Sequence, residues 1–397
     1  MDTTPITSGC GLCGAAQCPI RCDSCQVITY CSQEHKAAHN PTHLGICLDI
    51  KSQRTNVTWT ESRLPFNTKF VLHPCQKLRR FPPGRLGRRL ASNGLSWQDD
   101  NEKAYVQSRL DLGQALSGVR TRESLQAQLT HVMDVLKMSD SAPRFLRILA
   151  PVLMLRLDQD QNCYSFLKWW ARAKEARSKK VTTHYNDPGL WFQAINLADF
   201  FEPVDFVHDL AHTIIMTLFK IKILLGIRNL DTLASISVEE DSETFLRGAA
   251  RTAIVSDRCK LMMDGSKRQE MIDVLLMQVE KLYDGVAKKN GCYWSALVSA
   301  EGSLEWKPDM KKHGFLEDMQ DILGYTHDAW RETPGAIDFI RDKVQKEVQQ
   351  KVQVNAGGQA QAHVQDRGQD QVEGQVDDQV EDQTQEAREQ IEGHIKG

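Results

Sequence analysis

The sequence predicts a mostly α protein: a small metal-stabilised N-terminal module, an all-helical domain and a disordered acidic tail. Three observations carry this. Seven of the 11 cysteines fall within residues 10–47. Residues 101–335 place apolar side chains at helical intervals, without the alternation of a half-buried strand. Residues 355–397 hold ten acids and three basic residues in a Gln/Val repeat of period four.

The N-terminal module reads C-G-L-C at 10–13, C-D-S-C at 22–25, Y-C-S-Q-E-H at 30–35 and H-L-G-I-C at 43–47, after a disordered 1–9. A C-x2-C pair puts two thiolates on one tight turn, the bite that a tetrahedral Zn²⁺ requires. Ligands four apart share one helix face. Cys10, Cys13, Cys22, Cys25, Cys31, His35, His43 and Cys47 are therefore eight ligands, enough for two closed sites. Closed sites leave no position for water, so the two zinc ions are structural. No charged-then-apolar leader precedes them, which points to a reducing cytoplasmic or nuclear setting and to metal rather than disulfides.

This spacing resembles the MYND zinc finger, including the aromatic-Cys step Tyr30-Cys31 and the closing H-x3-C. The resemblance implies interleaved ligands: Cys10, Cys13, Cys31 and position 35 on one ion, and Cys22, Cys25, His43 and Cys47 on the other. The family usually has Cys at position 35. Here it is His35, the preferred fourth ligand, with His39 as the alternative. Cys18 has no slot. Each Cys3His site carries a formal −1, which takes the chain from −3 to −5 with both ions bound. MYND modules bind short proline-containing peptides of partner proteins, so the resemblance implies protein partners and a docking role. Gln33, Lys36 and His39 are the expected contact residues.

Residues 51–100 read as a basic linker. Ten Lys or Arg face one acid, Glu61, over 51–91, and K-L-R-R-F-P-P-G-R-L-G-R-R breaks any long helix. The alternative reading of 69–89 is a nucleic-acid or chromatin contact. Beyond it, helices are expected at 102–117, 122–138 and 143–157, where Pro143 suits a first turn, then at 204–226, 242–256 and 266–288. The stretch from Leu149 to Trp170 resembles the helical core of a group of fungal MYND-bearing proteins, a likeness that implies a fold and no reaction. Residues 178–203 read as loop, 291–330 as mixed. No run of about 18 apolar residues is seen, so no membrane span is expected. The end, 336–397, reads as a helix and then a low-complexity tail, because one valine per turn buries too little to offset chain entropy.

Enzyme motifs are not found. His208 and His212 stand one turn apart, but Asp209 replaces the glutamate of a zinc-protease helix and no third ligand follows. A methyltransferase SET domain would require an N-H-S-C-type segment and a Gly-rich methyl-donor site. The expectation is a non-enzymatic scaffold.

Overall fold

A computed structural model describes residues 6, 9–64, 100–138, 144–178, 209–236, 265–300 and 318–365. Among these, one antiparallel ribbon and ten helices form. Strands β1 (Ile20–Arg21) and β2 (Thr29–Tyr30) pair Ile20 with Tyr30 and Arg21 with Thr29, and Cys10 bridges to Thr29. The tight approach at Gly9 needs the missing Cβ: one built there would lie 2.5 Å from the Ala15 carbonyl oxygen.

Helix α1 (Gln33–Ser62) is 30 residues long. Ser32, in extended backbone, caps it by accepting from the His35 N–H at 3.3 Å. Pro41 lies inside it, on the exposed side. The buried stripe of His43, Cys47, Ile50, Val57 and Thr60 runs at three- and four-residue steps and turns toward α2 (Asp100–Ser117). There Thr60 and Ser108 share a buried hydroxyl hydrogen bond of 2.7 Å. Residues 51–62, expected to open the basic linker, are thus the last turns of α1. Residues 65–99, with the basic 69–89, lie outside those described.

Helix α3 (Arg122–Met138) starts at Thr121, whose hydroxyl accepts from the Ser124 N–H at 3.2 Å. Between α2 and α3, the Arg109 guanidinium donates to the Tyr105 hydroxyl at 2.7 Å, to His131 Nδ1 at 2.7 Å and to Asp134 at 2.9 Å. Helices α4 (Arg144–Arg156) and α5 (Asp160–Ser178) follow, joined at Asp158 with φ 58°. That corner is fixed by the buried Lys222 of α6 (Leu210–Ile236), whose ammonium reaches Asp160 at 2.8 Å, Asp158 at 3.0 Å and the Leu155 carbonyl at 3.1 Å.

Helix α6 is the centre of the core and packs on α4, α5, α7 (Gly265–Lys289) and α9 (Asp318–Glu332). Its stretch Leu210–Asn229 is long and apolar enough in composition to cross a membrane, contrary to the expectation from the sequence, yet 83% of its most apolar window is buried inside the protein. Burial by neighbouring helices accounts for that composition. Helix α8 (Tyr293–Ser299) adds Trp294, stacked on Tyr283 at 5.0 Å and edge-on to Trp330 of α9 at 5.8 Å. Arg156 clamps α9 to α4 with two 2.7 Å bonds to Glu332. Among its described residues the mixed segment holds α8 and most of α9, and the 204–226 helix starts and ends later than expected. The expected 242–256 helix lies outside the described residues.

The chain divides into two compact units, Met1–Arg341 and Asp342–Gly397. The N-terminal module and the helices belong to the first. In it, α10 (Ala336–Gln365) begins with Ala336, Ile337 and Ile340 buried. The second unit carries α10 on to Gln365, into the stretch read as low-complexity tail.

Candidate metal centre

Four chain segments converge on two clusters. One gathers Cys10, Cys13, Cys31 and His35; the other gathers Cys22, Cys25, His43 and Cys47, and in each the ligand atoms lie within 4.8 Å of one another. The first knuckle turns back through Gly14 N–H to Cys10 C=O at 2.8 Å. The second turns through Gln26 N–H to Cys22 C=O at 3.0 Å, with Gln26 at φ 59°. Strand β2 ends at Tyr30 and delivers Cys31; helix α1 then presents His35, His43 and Cys47 along one side.

The spacings suit a tetrahedral zinc ion. Zn–S bonds of about 2.3 Å at a tetrahedral angle give S···S edges of roughly 3.8 Å, and S···N edges come slightly shorter. The Cys13 and Cys31 sulfurs are 3.7 Å apart, Cys22 and Cys47 3.5 Å, Cys10 Sγ and His35 Nδ1 3.6 Å, and Cys25 Sγ and His43 Nε2 3.4 Å. A disulfide would need about 2.05 Å, and all of these cysteines are free. The two Cys3His sets fit two zinc ions.

The thiols are unevenly prepared. Burial raises Cys10, but backbone N–H groups of Cys13, Cys31 and Leu12 outweigh it and bring the thiol down to about 5. In the second cluster burial pushes Cys25 up to about 12, while backbone N–H groups of Cys25 and Ser24 hold Cys22 below its ordinary value. Burial likewise pushes Cys31 of the first cluster up to about 12, so an ion entering either site must displace protons, which ties affinity to pH.

His35 sits in the first cluster, and His39 does not. The His39 ring stacks on His43 at 5.5 Å, and its Nδ1 meets the Tyr30 hydroxyl at 3.0 Å. Cys18 donates to the Ala15 carbonyl at 2.9 Å and joins neither cluster. Residues 10–47 match the family model described as MYND finger.

This segment is a MYND finger. No curated protein and no solved structure matches the chain. The finger is tied into the helical unit through its second cluster. Thr121 Oγ1 donates to the Val27 carbonyl at 2.6 Å, Arg54 Nη2 donates to the Cys25 carbonyl at 3.0 Å, and a Cβ on Gly118 would meet Ile46 at 2.5 Å. Sequence reasoning missed Arg54 and Thr121, because a side chain bonding a distant carbonyl leaves no spacing to read. His212 Nε2 donates to the Arg147 carbonyl at 3.2 Å, and His208 lies outside the described residues.

Proposed function

We propose that the chain is a non-enzymatic interaction protein, with the zinc-held finger docking a short proline-containing segment of a partner protein and the helical unit acting as scaffold. A MYND finger is a zinc-binding protein-interaction module. The supporting observation is apolar exposure on the finger: Leu12, Leu44 and Leu48 are 48%, 46% and 53% exposed. A preformed apolar surface loses little freedom on binding. Of the residues expected to make contact, Gln33 is exposed, whereas Lys36 is engaged by Asp23 at 2.8 Å and His39 is taken up by Tyr30 and His43. The docking surface is therefore drawn around Leu44 and Leu48, one turn apart on α1. The test is capture on an immobilised proline-motif peptide. Wild type binds, Leu48→Glu keeps two zinc ions and loses binding, and Cys22→Ser loses both. Equal capture of wild type and Cys22→Ser would sink the reading. The alternative, nucleic-acid or chromatin association through 69–89, falls outside the described residues. It predicts affinity that drops steeply with salt, and unchanged DNA binding after charge reversal at Arg79, Arg80, Arg88 and Arg89 would remove it.

A further inference from the structure

A cleft of about 450 Å³ opens where the finger meets α3. Three arginines reach it from separate segments: Arg21 from β1, Arg54 from α1 and Arg122 from α3. Glu123 is the one acid in its lining. Arg122 is held in place by the Leu157 carbonyl at 2.6 Å and Asp158 at 3.3 Å. Arg54 spends Nη2 on the Cys25 carbonyl, yet its Nε is buried without an acceptor. Arg21 is exposed, and among the described residues no carboxylate pairs with it.

From this we infer that the cleft is a binding site for a single phosphate monoester, carried as a phosphorylated serine or threonine on a partner protein. Guanidinium forks match phosphate oxygens two at a time, and such charge-assisted bonds are the strong ones. Arginines contributed by three separate segments suit a group with three free oxygens better than a carboxylate with two. Val27, Ala127 and Leu157 supply apolar wall for the carbon chain that bears it. A nucleic-acid strand fits less well. The three arginines meet at one cleft, and Asp158 is shared with Lys222, an arrangement that suits one dianion and offers no track along which successive phosphates could run. The site is separate from the leucine surface and does not depend on proline-peptide docking there.

The test uses the full, zinc-loaded chain and follows arginine Nε–H signals by nuclear magnetic resonance. The probes are a blocked Ala-phosphoserine-Ala tripeptide, its glutamate counterpart, inorganic phosphate and a short DNA duplex. The phosphopeptide shifts the Arg54 Nε–H, and Arg21→Gln and Arg122→Gln each weaken binding about tenfold, the loss of roughly one charge-assisted bond. Both variants keep two zinc ions; Arg21→Gln also keeps the wild-type melting temperature, whereas Arg122→Gln melts lower because its bonds to the Leu157 carbonyl and Asp158 are lost. No shift with phosphopeptide at millimolar concentration overturns the inference. So does tighter binding of the glutamate peptide, or a response to DNA without one to the peptide. A phosphate response indifferent to both variants means an adventitious ion only, and also overturns it.

Discussion

Loss of the second zinc site destabilises the helical unit and not the finger alone. The perturbation is Cys22→Ser. All four ligands of that site are buried, and the turn they fix carries the Cys25 and Val27 carbonyls that receive Arg54 and Thr121. Without the ion the turn has no reason to hold its shape, since site binding energy is folding energy. The neutral Thr121 bond contributes about 1 kcal/mol and the charged Arg54 bond about 2. Re-exposure of Val27, now 2% exposed, costs about 2 more. The sum, roughly 5 kcal/mol, corresponds to a fall of about 5–10 °C in Tm for a unit of this size. Cys13→Ser is the control. Cys13 is exposed, and the backbone hydrogen bonds of Cys10, Gly11 and Gly14 stay within the finger. That variant should drop one zinc by native mass spectrometry and leave helical melting by circular dichroism nearly unmoved. If Cys22→Ser loses its zinc yet α2 and α3 melt and exchange amide hydrogens as in wild type, the coupling argued from these carbonyls is wrong.

Three further outcomes are expected. Ser32→Ala removes the α1 cap and lowers stability by about 1 kcal/mol in denaturant unfolding. His131, held down to about 3 by burial and then by Arg109, stays neutral in the folded chain but protonates near 6.5 when unfolded. Stability is whole above that value and falls as pH drops from 6.5 toward 3, by at most about 1.4 kcal/mol per unit; His131→Gln, which keeps an acceptor for Arg109, shows a shallower decline in parallel titrations. Lys222→Ala strands the buried Asp160 and costs about 3–5 kcal/mol, whereas Lys222→Met with Asp160→Leu recovers much of it in the same unfolding assay.

Metal ligands are legible because their spacing is local: two residues for a knuckle, one helical turn for His35 and His43 with their partners. His35 is preferred over His39 from the sequence alone, although both stand at helical steps, and the path of β2 into α1 brings His35 to the cluster. Helix α3 was readable to its ends, from one uninterrupted apolar stripe. The reach of α1 was hidden by Pro41, Gly45 and a β-branched run at Thr55, Val57, Thr58 and Thr60 that argues against helix. Three zinc ligands in its first half and packing against α2 along the other override that preference. Helix α6 was visible by its apolarity but misplaced at both ends, because apolarity marks the buried middle and fades where the last turns become polar. The pairing of Trp294 with Trp330, 36 positions apart in the sequence, has no local signature.

Helix α1 has a practical consequence for anyone who wishes to cut the protein. The family match stops at Cys47, mid-way along a rod of about 45 Å. A fragment trimmed there would lose Ile50, Val57 and Arg54 and leave Val27 bare. A shortened polypeptide intended to behave as the parent does should run past Leu64 and bring along the hairpin of α2 and α3 that shelters it.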